Sequence, residues 1–160
     1  MFFKKKKNTT PETKKPALLL KENIRLDQKD PGSKEAVIRM IGSILQESGY
    51  VNENYVEGML KREESFPTNL GNGIAIPHGV LEVKKEIKNS GLAVLVFPDG
   101  VQWNDETVKL VVGIAGAEEE HLDILSNIAM NLSTPDEVEK LVAANSVDYI
   151  YDIFMGNVTE

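Results

Sequence analysis

Two rhythms of apolar residues run along this chain. Residues 91–97 and 108–115 are continuous apolar runs rich in valine, the pattern of strands covered on both faces. Elsewhere the spacing is that of a single helical stripe. Val37, Met40, Ile41, Ile44 and Leu45 fall at i, i+3, i+4, i+7 and i+8, which predicts a helix with one buried side. Asp30-Pro31-Gly32-Ser33 supplies its capping side chain and an early proline, and Gly49 supplies its stop. A second helix starts at Asn52, turns Tyr55, Val56, Met59 and Leu60 inward, and delivers Arg62 in its last turn. Residues 118–132 predict a third, with Leu122, Leu125 and Ala129 in one stripe and Ile124, Ile128 and Leu132 beside it. Thr134-Pro135-Asp136-Glu137 opens a fourth, with threonine as cap, proline first and glutamate third. Ser146 caps a fifth, which carries Ile150, Ile153 and Phe154.

Residues 17–20 and 24–26 read as strand-like, and Pro98-Asp99-Gly100 as the turn between the two valine-rich strands. Asp99, Asp105 and Glu106 read as solvated turn charges, and Trp103 as edge packing. Strands alternating with helices predict an α/β sandwich, with helices on both faces of a central sheet. There is no internal repeat and no sign of a second domain: residues 1–16 form a basic tail that is expected to be disordered, and residues 17–160 one domain.

Composition narrows the chemistry. With 160 residues, 41% hydrophobic and 27% charged, the chain has enough material for one real core. No run is long enough to span a membrane, and Phe2-Phe3 is followed at once by lysines rather than by an apolar leader. There is no cysteine, so disulfides, thiolate metal sites and a cysteine nucleophile are excluded within the chain; the expected compartment is a reducing cytoplasm. The net charge of −7 conceals a split: residues 1–21 hold seven of the 18 basic side chains and one of the 25 acids. The body is therefore strongly acidic, which disfavours nucleic acid and favours a basic protein partner. The lysine tail reads as a solvated leader or as a weak attraction to an anionic membrane surface.

The densest candidate site is Arg62-Glu63 followed by Thr68-Asn69-Leu70-Gly71-Asn72-Gly73-Ile74-Ala75-Ile76-Pro77-His78-Gly79. Ile74-Ala75-Ile76 can anchor as a short strand; Pro77 ends strand pairing and Gly79 permits a sharp turn. His78 would then stand at a strand end. Imidazole is nucleophilic near neutral pH, and phosphoryl transfer asks mainly for positioning and charge stabilisation. Arg62 could supply a planar donor fork, and Gly71-Asn72-Gly73 a nest of backbone N–H groups. From residue chemistry alone, His78 reads equally as an ordinary turn histidine. The glycine pair completes neither a dinucleotide fingerprint nor a P-loop. His121 falls at the start of the third helix, just after a strand, where an anion is favoured; Glu118, Glu119 and Glu120 before it oppose that, and a surface histidine reads equally well. Nothing has the ligand spacing of a metal site.

These strings resemble the A component (enzyme IIA) of the phosphoenolpyruvate-dependent sugar phosphotransferase system, mannitol/fructose class. The family pattern is present as Arg62-Glu63, then Thr68, Gly71, Gly73, Ala75 and Pro77-His78-Gly79. Gly49-Tyr50-Val51 with Tyr55-Val56, Phe97-Pro98-Asp99-Gly100-Val101, Leu110-Val111-Val112-Gly113-Ile114-Ala115 and Glu120-His121 are most similar to the mannitol-specific branch. The resemblance covers roughly residues 17–156 and implies a mixed sheet flanked by helices. It implies an enzyme without cofactor: His78 takes a phosphoryl group on Nε2 from the phosphocarrier HPr and passes it to a cysteine of a mannitol-specific IIB or IIBC permease. Arg62 would stabilise that group, His121 would lie beside His78, and Thr68, Gly71, Asn72 and Gly73 would support the site. Position 72 is asparagine where some mannitol-type members place glutamate. With no B domain in the chain, a free-standing A component is expected. Two other readings stay open: a regulatory nitrogen-type IIA protein signalling through the same histidine, and an interaction domain with a vestigial site.

Overall fold

The computed structural model describes residues 17–116 and 118–156, the side chains at 81, 118–122 and 124 excepted. Four strands form one mixed sheet: β1 (Ile24–Arg25), β2 (Ile74–Ala75), β3 (Gly91–Trp103) and β4 (Glu106–Ala115), in the order β1-β3-β4-β2. β3 and β4 pair antiparallel as a long central hairpin; β1 joins β3 and β2 joins β4, both parallel. Five helices follow the expected order: α1 (Lys34–Glu47), α2 (Tyr55–Ser65), α3 (Glu118–Asn131), α4 (Pro135–Ala144) and α5 (Val147–Phe154).

The valine-rich runs form the centre because every side chain in them has an apolar face to meet. Ala93, Leu95 and Phe97 of β3 pack with Val37, Ile38, Ile41 and Leu45 of α1 and with Met59 of α2. The alternate residues Leu92, Val94 and Val96 pack on the other face with Ile128, Leu132, Val138, Leu141 and Ile150, from α3, α4 and α5 and the turn after α3. This is the three-layer sandwich, with its helices on both faces of a mixed sheet. Each fully buried Leu, Ile or Val contributes about 1.5–3 kcal/mol relative to leaving it in water. Gly113 lets α1 approach: a Cβ there would lie 2.8 Å from Ile41.

Caps fall where the sequence puts them. Ser33 accepts the Ala36 N–H, Thr134 and Glu137 form a reciprocal capping box with Pro135 at the first turn, and Ser146 accepts the Tyr149 N–H. Gly49, at φ +85°, ends α1.

Five expectations need correction. Residues 17–20 are not a strand; they are irregular, with the Leu18 carbonyl accepting the Leu92 N–H and the Leu19 side chain buried against the sheet. Pro31 precedes the α1 cap rather than opening the helix, and Asn52 is two residues ahead of the Asn54 cap of α2. Ala129 is exposed; Leu125 of the expected stripe packs against the core, together with Ile128 and Leu132. Pro98-Asp99-Gly100 does not reverse the chain: it bulges β3, so that Val96 pairs with Leu110 and the next pair is Val101 with Val108. The reversal comes at Asn104-Asp105, with Asn104 at φ +57°. The basic tail at residues 1–16 lies outside the described residues, as do the side chains of Leu122 and Ile124.

Candidate functional site

His78 lies just beyond β2, where the chain leaves the sheet beside the end of β4. It bridges Ile114 in parallel register, and the Ile114 N–H donates to the Pro77 carbonyl at 3.0 Å. The imidazole is half-buried, with Nδ1 2.8 Å from the carbonyl oxygen of Ile76. A carbonyl can only accept, so Nδ1 carries the proton and, in the neutral ring, Nε2 carries the lone pair. Burial holds the pKa of His78 below the ordinary 6.5; the Ile76 hydrogen bond and the charge of Glu63 oppose that, and the Arg62 guanidinium adds to it. The ring is therefore neutral at neutral pH, with its nucleophilic nitrogen defined.

Helix α2 frames this strand end from both of its termini. At its first residue, buried Tyr55 accepts the Gly79 N–H and donates its hydroxyl to the Ile114 carbonyl, both at 2.9 Å. Burial pushes its phenol up to about 12, so the hydroxyl keeps its proton. At the other end Arg62 donates to the Phe66 carbonyl at 2.8 Å and lies over the exposed Phe66 ring, 5.7 Å from its centroid. Its charge adds to the burial that holds the His78 pKa down.

Next to Arg62, Glu63 is almost wholly buried, at 3% exposure. It accepts the Thr68 hydroxyl at 2.6 Å, the Thr68 N–H at 3.2 Å and the Trp103 indole N–H at 2.8 Å, and it pairs with Lys34 at 3.2 Å. The carboxylate therefore has its full set of donors, the condition for burying a charge without leaving it uncompensated. Thr68 is thus spent on Glu63. Trp103, expected at an edge, is fully buried and is one of the donors that orient this residue.

The glycine loop also departs from expectation. Glu106, expected to be a solvated turn charge, accepts the Asn69 side-chain amide at 2.7 Å and the N–H groups of Gly71 and Gly73 at 3.2 and 2.5 Å. The anion nest exists, but the protein's own carboxylate fills it, so those two N–H groups do not face a phosphoryl group. Asn72 donates to the Leu132 carbonyl at 2.6 Å, which ties the loop to the end of α3, and its Oδ1 is buried with no hydrogen-bond partner among the described residues. His121 is on α3, one turn from its start; its side chain is outside the described residues. Among the described residues no cluster of three or more metal-ligating side chains occurs, and no helix is long and apolar enough to cross a membrane.

The structure therefore gathers Arg62, Glu63 and Thr68 at the end of α2, sets His78 on the strand end that Tyr55 ties to the start of the same helix, within reach of the Arg62 and Glu63 charges, and holds Gly71, Asn72 and Gly73 in a separately braced loop. Sequence reasoning missed Tyr55, Glu63, Trp103 and Glu106 as parts of this frame. One signal for Trp103 was available, since a buried indole N–H needs a partner.

A strand-end histidine of fixed tautomer, within reach of a guanidinium charge, is the arrangement that a histidine phosphocarrier requires. The model of the family "Phosphoenolpyruvate-dependent sugar phosphotransferase system, EIIA 2" matches residues 17–156, and the chain belongs to that family. It is a phosphotransferase that works through a phosphohistidine intermediate. Over 138 residues it is 46% identical to the mannitol-specific phosphotransferase enzyme IIA component of Bacillus subtilis, covering 86% of this chain and 96% of that one. The crystal structure of IIA mannitol from Escherichia coli superposes with a TM-score of 0.74 at 36% identity, covering 83% of this chain and 96% of that one. The complex of enzyme IIAMTL with phosphorylated enzyme IIBMTL from the same organism gives 0.76 at 36% identity, covering 84% and 95%.

Proposed function

We propose that this chain is the A component of a mannitol phosphotransferase system, and that His78 is its phosphoryl acceptor. The Nε2 of His78 takes the phosphoryl group from phosphorylated HPr and gives it to a cysteine of a mannitol-specific B component. The observation that carries this reading is the Nδ1 hydrogen bond to the Ile76 carbonyl, which reserves the lone pair for Nε2. Attack by Nε2 leaves a formal positive charge on the ring, which the Nδ1–H bond to the carbonyl offsets. Arg62 sets a permanent positive charge near the developing phosphoryl oxygens. Glu63 orders the turn that carries both Arg62 and Thr68. The chain has no cysteine, so the receiving thiol comes from another segment or another chain. The acidic body suits transient docking to a basic face of HPr.

The mannitol reading has support from the 46% identical relative. A nitrogen regulatory IIA protein from Neisseria meningitidis shares the fold, with a TM-score of 0.72 at 28% identity, covering 86% of this chain and 96% of that one. Transfer of the phosphoryl group to a mannitol B component separates the two: the mannitol reading requires it, and a purely regulatory protein would not perform it.

The experiment is intact mass after incubation with phosphoenolpyruvate, enzyme I and HPr at mildly alkaline pH. One added phosphate is expected, absent in His78→Ala although that variant folds. His121→Ala is expected to slow the transfer without abolishing it. No added mass, with HPr itself phosphorylated, would overturn the proposal.

A further inference from the structure

The ladder between β2 and β4 stops in an unusual way. His78 pairs with Ile114 in parallel register, with the Ile114 N–H on the Pro77 carbonyl. In that register the next rung joins the Gly79 N–H to the Ile114 carbonyl. Both groups also meet the Tyr55 hydroxyl, which accepts from the first and donates to the second, each at 2.9 Å. A phenol oxygen thus clamps the last backbone rung, one residue after His78. The fit is close: a Cβ at position 79 would lie 2.7 Å from a ring carbon of Tyr55, so glycine is what lets the ring in.

We infer that Tyr55 is a positioning residue for phosphoryl transfer at His78, its hydroxyl clamping the last rung of the ladder to α2 and so fixing the backbone on both sides of the imidazole. The inference rests on His78 being the phosphoryl acceptor. The backbone it fixes includes the Ile76 carbonyl, which sets the ring tautomer through its 2.8 Å contact with Nδ1. Tyr55 opens α2 and Arg62 lies in its last turn, seven residues on, so the two residues are spaced by about two rigid turns. Without the oxygen, the Gly79 N–H and the Ile114 carbonyl lose the group that ties them both to α2. Residues 77–79 then shift relative to that helix, and the Nδ1 contact is lost. A ring that places its proton on Nε2 has no lone pair there with which to attack phosphorus.

The test compares the full chain with Tyr55→Phe, which keeps the ring and removes the oxygen. Two readouts are taken: the ¹⁵N resonances of the His78 ring above its titration, and the rate of phosphoryl gain from phosphorylated HPr. The wild-type ring is expected as the Nδ1–H tautomer. The variant is expected to fold, to show a mixture of tautomers, and to gain phosphate about tenfold more slowly at saturating donor, the size of effect that a small misplacement produces. The donor concentration giving half-maximal rate is expected to be unchanged. Equal tautomer and equal rate in the two proteins would overturn the inference, and so would a slower variant whose ring remains Nδ1–H. If neither protein gains phosphate, the acceptor role fails while the ring spectra still decide whether Tyr55 sets the tautomer. Should Tyr55→Phe not fold, the Tyr55 hydroxyl proton of the wild-type protein decides: a slowly exchanging resonance with a cross-peak to the Gly79 N–H supports the clamp, and a hydroxyl proton exchanging at the rate of an exposed phenol overturns it.

Discussion

The glycine loop at residues 69–73 and the strand end at residues 76–79 offer the same kind of group, backbone donors and acceptors at a turn, yet they are completed in opposite ways. In the glycine loop the donors are closed off by a carboxylate from the protein itself, Glu106, which takes the N–H groups of Gly71 and Gly73 and the Asn69 amide. At the strand end the Ile76 carbonyl and the Tyr55 hydroxyl are spent on aiming one imidazole. An anion-binding geometry is therefore not by itself an anion site. What separates them is whether the fold already supplies the anion. Glu63 makes the same point beside His78, since its carboxylate is already taken up by Thr68, Trp103 and Lys34.

Glu63→Ala breaks this contrast most severely. It leaves Thr68 and the Trp103 indole without their carboxylate acceptor and Lys34 with Asn104 but no counter-charge, and it should destabilise the fold by about 3 kcal/mol in urea unfolding, in line with opening a buried pair. An unchanged midpoint would mean that the carboxylate is not the anchor of this end. Glu106→Ala should cost less, about 1–3 kcal/mol, because its stranded donors lie in a loop that water can reach in part. His78 should still accept phosphate at the wild-type rate, since the glycine loop is braced separately; a large loss of rate would join the two regions after all. The smallest effect is on pH. Because the His78 pKa lies below 6.5, the folded protein binds its proton less readily than the unfolded chain does. Stability contributed by the neutral ring is then complete above 6.5 and falls as the pH drops from there through the lowered value. The transfer rate should be level through neutrality and fall only below 6.5. Arg62→Ala should shift that fall to higher pH, because it removes one of the causes holding the pKa down. Titration of the ring by NMR checks both.

The helices and the sandwich were legible because their signals are local. Ser33, Ser146 and the Thr134-Pro135-Glu137 box cap their helices through contacts within a few residues. The valine-rich runs were legible because both faces of the central strands are covered. The bulge was not: Pro98-Asp99-Gly100 has the composition of a turn, and only pairing with β4 shows that the strand continues to Trp103. Histidine and arginine could be picked out by chemical type. Their supports could not. Glu63 looks like any charge at a helix end until Trp103, forty residues on, is brought against it. Glu106 reads as a surface acid until the glycine loop folds over it. Tyr55 reads as an inward helical residue, and it is one; the rung it makes with Gly79 and Ile114 exists only in the assembled sheet.

The central claim is that the geometry of His78, proton on Nδ1 and lone pair on Nε2, decides its chemistry. The most direct measurement is the regiochemistry of the phosphorylated protein, read from ¹⁵N–³¹P coupling in the labelled His78 ring. Phosphorus on Nε2, with Nδ1 still hydrogen-bonded to the Ile76 carbonyl, is the predicted result. Phosphorus on Nδ1, or on a residue other than His78, would contradict it.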